Sequence, residues 1–162
     1  MLSPTPHYYE LRGRAAEIAW ASGSLVGGAE HLFLGMLHDG GWPVSAISGL
    51  VDLARAEAAV RAILDSPGYS PPPPSCGSFV RGPVPPLWGA RVAAEMGDSH
   101  LGAEHALLAM IRNRETVPAR ALAGLADLDT LDAAVVAAKN APVGPHEDAV
   151  SCPKASSWTA RC

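Results

Sequence analysis

Apolar and polar positions alternate along this chain with a helical period, interrupted by short Gly, Ser and Pro breaks. Leu11, Ala15, Ile18 and Ala19 fall on one face, and Ser22-Gly23-Ser24 closes the run, so a first helix is predicted there. From Glu30 to Leu37 the chain is apolar nearly all round, the pattern of a buried helix and not a surface one. Asp39-Gly40-Gly41 breaks that helix, and Pro43 suits the first turn of a short one that follows. Leu53, Val60 and Leu64 then form a stripe, with Arg55, Arg61 and Asp65 facing away.

The pattern occurs twice. "GAEHLFLGML" begins at Gly28 and "GAEHALLAMI" at Gly102, and with these glycines superposed Ala19 falls on Ala93 and Gly23 on Gly97. Downstream, with one residue inserted, Pro43 to Val60 lies on Pro118 to Val135, with Pro, Gly-Leu, Asp-Leu and Ala-Ala-Val in register. Two unrelated Ala-rich helices would share scattered alanines, whereas shared Pro, Gly and Asp positions indicate an internal duplication. In the second copy Leu128, Leu131 and Val135 form the stripe, and Asp127, Asp129 and Asp132 place acid at the helix start, where the dipole favours it.

The expected fold class is therefore all-α. Two tandem four-helix units pack as one pseudo-twofold domain of about eight helices with no sheet, because either unit alone would expose its apolar faces. The expected boundaries are 4–65 for the first unit, 66–85 for a Pro-rich linker, 86–140 for the second unit and 141–162 for a disordered tail.

Composition narrows the class without naming a function. The chain has 162 residues, 48% hydrophobic and 17% charged, which supports one cored domain and argues against general disorder. A formal net charge of −4 gives no basic field for nucleic acid or an anionic membrane surface, so neither is expected as a partner. The N-terminus does not read as a signal peptide, and no apolar run approaches the roughly 18 residues a membrane span requires. A soluble, cytoplasmic monomer is the expectation. Cys76, Cys152 and Cys162 lack the spacing of a disulfide framework or a zinc site.

The doubled Glu-His pair is the candidate chemistry. Its plainest reading is a brace: the imidazole bonds a nearby backbone group, and the carboxylate accepts N–H bonds at the helix start. A metal site fails on comparison of the copies, since His38 could accompany His31 but Arg112 stands near that place in the second. An acid/base enzyme is a rival reading, although neither apolar run supplies a third polar residue and no Gly-x-Ser-x-Gly context occurs.

Two all-helical units of this length, each opening a buried helix with Gly-x-Glu-His, resemble the Clp N-terminal (Clp R) repeat domain of the ClpA and ClpC AAA+ unfoldases. "GAEHLFLGML" and "GAEHALLAMI" keep the family's Gly, Glu, His and apolar run, while "SAISGLVDL" and "RALAGLADL" are similar to its downstream segment. No Gly-x-x-x-x-Gly-Lys-[Ser/Thr] loop is present, so the resemblance is to the recognition domain and not to the motor. It implies a non-enzymatic module without cofactor that binds protein substrates, adaptors or a Clp unfoldase, as accessory, competitor or decoy. In the ClpC branch it further implies a phosphoarginine contact through Glu30 and Glu104: the carboxylate reads the guanidinium while N–H groups or hydroxyls take the phosphoryl oxygens. Thr5 matches the family's upstream Thr for the first unit; Phe79 occupies the corresponding place before Glu104, and Ala29 and Ala103 replace the Thr beside each Glu. Phe79 also lies within one residue of a family aromatic on the surface that adaptors and cyclic-peptide antibiotics use, so it is either an exposed anchor or tucked under the linker. A helical interaction domain with inert pockets remains the alternative.

Overall fold

The computed structural model describes residues 2–24, 27–69 and 89–141. Chain order is β1 (Ser3–Pro4), α1 (Pro6–Ala21), α2 (Ala29–Asp39), a 3₁₀ turn (Val44–Ala46), α3 (Leu53–Leu64), α4 (Ala90–Glu95), β2 (His100–Leu101), α5 (Ala103–Arg112), α6 (Val117–Ala123) and α7 (Leu128–Asn140). The described chain is mostly helical.

Each helix start has a local cause. Thr5 caps α1, its hydroxyl accepting from the Tyr8 N–H at 3.2 Å, and Pro6 supplies a preset first-turn φ. Asp52 caps α3 by accepting from Ala54 and Arg55, Thr116 caps α6, and Asp127 caps α7 by accepting from Thr130 at 2.8 Å. Helix α2 ends at Gly40, whose φ of 66° is the left-handed turn that glycine makes without a Cβ penalty.

Helices α2 and α5 occupy the middle. All eight residues from Ala29 to Met36 are buried, as the apolar pattern predicts, and α5 is buried along most of its length. Helix α2 packs on α1, α3, α5 and α6, and α5 on α4, α6 and α7, so both runs share one core with Leu11, Val60, Leu122, Leu131 and Val135. Each large aliphatic or aromatic side chain buried here contributes about 1.5–3 kcal/mol. Within each half the buried helix is also held to the last one at the same place: His38 of α2 lies 3.1 Å from Glu57 of α3, and Arg112 of α5 donates to Asp132 of α7 at 2.7 Å.

One expectation is overturned. A two-residue parallel bridge joins Ser3–Pro4 to His100–Leu101, extended by the Thr5 N–H donating to the Leu101 carbonyl at 2.9 Å. Ser3 and Thr5 each precede a proline, which disfavours helical backbone and leaves the segment extended enough to pair. The predicted helix at Pro43 is a single 3₁₀ turn with Pro43 just before it. The linker beyond Tyr69, with Phe79, and the tail from 142 onward lie outside the described residues.

Candidate functional site

Gly-Ala-Glu-His is a helix-start device, and the structure builds it the same way in α2 and α5. The glycine is the N-cap, Glu is the second helical residue and His the third. The His ring reaches back, its Nδ1 accepting the N-cap N–H: 3.0 Å from Gly28 to His31 and 2.9 Å from Gly102 to His105. An imidazole thus does what a third-position Glu does in a capping box. The Glu carboxylate folds over the glycine, its oxygens and Cδ standing where a Cβ would be. All four side chains are buried. The carboxylates lie near Nδ1 as well, at 3.2 Å for Glu30–His31 and 3.4 Å for Glu104–His105. An ion pair there would need a proton on Nδ1, which the backbone N–H needs as an acceptor. The short backbone bond in both copies favours the tautomer protonated on Nε2.

The surroundings of the two copies differ. Tyr69 donates its hydroxyl to Glu30 Oε1 at 2.5 Å, so the first carboxylate is occupied from within the chain. Burial pushes the Glu30 carboxyl up, but the neighbouring His31 ring, the Tyr69 hydroxyl and the residue's own N–H outweigh it and hold it below the usual carboxylate range. Burial and the adjoining carboxylate push the Tyr69 hydroxyl the other way, upward. Glu104 has looser company: the Trp42 indole N–H is 3.4 Å from Oε2 and His100 Nε2 is 3.7 Å from Oε1. Trp42 and His100 are both partly exposed, so this carboxylate sits close beneath the surface.

The histidines also part company at Nε2. His105 donates to Asp98 Oδ2 at 2.7 Å, and Asp98 is held in turn by Lys139 at 2.8 Å. Lys139 first, then His105, holds the Asp98 carboxyl below its usual range. Beside His31 there is instead a cavity of about 240 Å³, bordered by Ser24, Arg61, Leu64, Asp65 and Tyr69.

Of the residues read from sequence, Glu30 and Glu104 occupy equivalent places at two helix starts. Thr5 belongs spatially with the second: its N–H bonds Leu101, three residues before Glu104, and among the described residues no hydrogen bond joins it to Glu30. Phe79 falls outside the described residues. Tyr69, Trp42, His100, Asp98 and Lys139 were not singled out by sequence. Only Asp98 and Lys139 left a trace, as the charged residues that replace Ser24 and Leu64 when the copies are aligned.

Among the described residues no helix is long and apolar enough to cross a membrane. No family model matches the chain, and no curated protein matches it significantly.

Proposed function

We propose that this chain is a non-catalytic recognition domain of the Clp N-terminal repeat type, with two four-helix units related by a pseudo-twofold axis, acting in the cytoplasm. On this reading it engages proteins marked for degradation, an adaptor or a Clp unfoldase, as an accessory, competitor or decoy. The observation that carries it is the repeated helix start: two buried carboxylates, each folded over an N-cap glycine and braced by a histidine. The carboxylates themselves meet few donors: Tyr69 at Glu30, and Trp42 with His100 at Glu104.

The same geometry ranks the two sites. Glu104 is the better candidate for a guanidinium, because its contacts from Trp42 and His100 are long and both residues are partly exposed. Thr5 borders the strand that leads to it; its oxygen accepts from Tyr8, leaving its O–H to donate to a phosphoryl oxygen. Glu30 would have to release Tyr69 first. Closure of that first pocket favours a second reading, a helical interaction domain whose pockets are inert.

Titration of a phosphoarginine peptide, followed by calorimetry and by chemical shifts, separates the two. Saturable binding is expected that falls at least tenfold in Glu104→Ala, less in Glu30→Ala, and is absent for the unphosphorylated arginine peptide. No heat and no shift in the wild-type protein would sink the phosphoarginine reading.

A further inference from the structure

The cavity beside His31 is what the second half of the chain fills with its own charges. The turns that border the two places share their backbone. Gly23 and Gly97 have φ of 73° and 75°, and the N–H groups of Ser24 and Asp98 bond the carbonyls of Ala19 and Ala93, both at 2.9 Å. Ser24 therefore stands where Asp98 stands. Leu64 and Lys139 are each the twelfth residue of their helices, α3 and α7, counted from the capping aspartate. In the second half the carboxylate of Asp98 and the ammonium of Lys139 pair at 2.8 Å over His105, and the imidazole Nε2–H donates into that pair. In the first half both charged side chains are gone, and a space of about 240 Å³ borders the same imidazole.

His31 is 1% exposed, and its Nδ1 is taken by Gly28. Among the described residues nothing accepts from its Nε2. That nitrogen is not sealed from the cavity, so its N–H is met by whatever fills the space, solvent or a ligand. The space equals roughly eight waters at about 30 Å³ each, ample for a small organic molecule. Its border carries two further charges: Asp65, and Arg61, which Glu57 already holds at 2.8 Å.

We propose that this cavity binds a small α-amino acid zwitterion, its carboxylate accepting from His31 Nε2–H and Ser24, and its ammonium facing Asp65. Such a ligand reproduces, as one molecule, the carboxylate–ammonium pair that Asp98 and Lys139 supply to His105. A simple anion would leave Asp65 without a cation in the cavity and a simple cation would leave Nε2–H unmet, so neither alone completes the site. The inference rests on His31 and not on either glutamate, and stands or falls apart from phosphoarginine binding.

The test is a titration of the full chain with glycine and L-alanine, reading the imidazole resonances of His31, with acetate and methylamine as single-charge controls. A saturable shift at millimolar glycine is expected, with an affinity at least tenfold above either control. Asp65→Asn should cut the glycine affinity about tenfold and leave acetate unchanged. Ser24→Asp/Leu64→Lys, which rebuilds the internal pair, should abolish the response. No saturable shift at His31 in the wild-type protein overturns the proposal, and that comparison needs no variant to fold. Equal affinities for glycine and acetate would overturn the amino-acid assignment, and an undiminished response in the refilled double variant would place the ligand elsewhere.

Discussion

The Glu30 carboxylate occupies the place where a Cβ on Gly28 would stand, and Glu104 does the same over Gly102. The N-cap glycine is thus required by a side chain two residues on, and not by its own backbone, since φ of −103° and ψ of −170° at Gly28 suit any residue. Gly28→Ala should displace the carboxylate and cost about 1–2 kcal/mol. In a Glu30→Ala background the same substitution meets no carboxylate, and should be neutral or stabilising by up to about 1 kcal/mol through the unfolded chain. Urea melts of the four proteins test this change of sign. Equal effects of Gly28→Ala in both backgrounds would refute the coupling.

Gly89 has a different reason to be glycine. Its φ is 82°, and a Cβ there would lie 2.5 Å from the His105 carbonyl carbon and 2.6 Å from the Ala106 nitrogen, main-chain atoms of α5 that cannot swing aside. Gly23 and Gly97 share the positive φ but face open space. Gly23→Ala and Gly97→Ala should each cost about 1–2 kcal/mol, the left-handed penalty alone. Gly89→Ala should exceed 3 kcal/mol, because overpacking against backbone adds to the strain. Thermal melts of the three variants would show the order, and a Gly89→Ala cost no larger than the others would contradict the close approach.

The histidine brace of the second half carries a pH signature. The Asp98 carboxyl lies below its usual range because Lys139, and then His105, bonds its charged form. A depressed native value means that its stabilisation is complete above the unfolded value of about 3.9 and is lost as pH falls through the native one. Asp98→Asn should cost about 1–2 kcal/mol near pH 6, within the range for charge-assisted bonds, and should flatten the stability profile below pH 4. An Asp98→Asn profile parallel to wild type throughout would disprove the linkage.

The helices, the buried character of α2 and α5 and the repeated Gly-Ala-Glu-His helix start were legible in sequence because each depends on local spacing. Thr5, Asp52, Asp127 and Gly40 signal their caps and stops through residues at most four positions away. The site was legible only at its centre. Glu30 and Glu104 stand in a repeated tetrapeptide, but Tyr69 reaches Glu30 across 39 positions and Trp42 reaches Glu104 across 62. Such contacts follow from how helices pack, which no window of neighbouring residues records. The β1–β2 bridge escaped for the same reason: two residues of extended chain make no pattern, and their partners lie in the other half. Thr5 keeps its spacing to Glu30 in the sequence, while its main chain bonds Leu101 in the other half, a contact no local pattern records.

Tyr69 is the residue that decides whether Glu30 is closed or available. Its hydroxyl is one of the groups holding the Glu30 carboxyl low against the upward push of burial. Tyr69→Phe keeps the ring and removes the donor, so the native Glu30 midpoint should rise, as read from its side-chain carboxyl carbon resonance. With a native value below the unfolded one of about 4.3, the Glu30 contribution is complete above that pH and lost as pH falls through the native midpoint. The substitution should therefore move the acid loss of stability to higher pH and cost about 1–2 kcal/mol at neutrality, as for a hydrogen bond to a charged acceptor. It should also raise phosphoarginine affinity at the first site if Glu30 is a ligand contact, because no internal donor then competes with the guanidinium. An unchanged midpoint would mean that the hydroxyl is not bonded to Glu30 in solution. A raised midpoint without any gain in binding would assign the first carboxylate to bracing the fold.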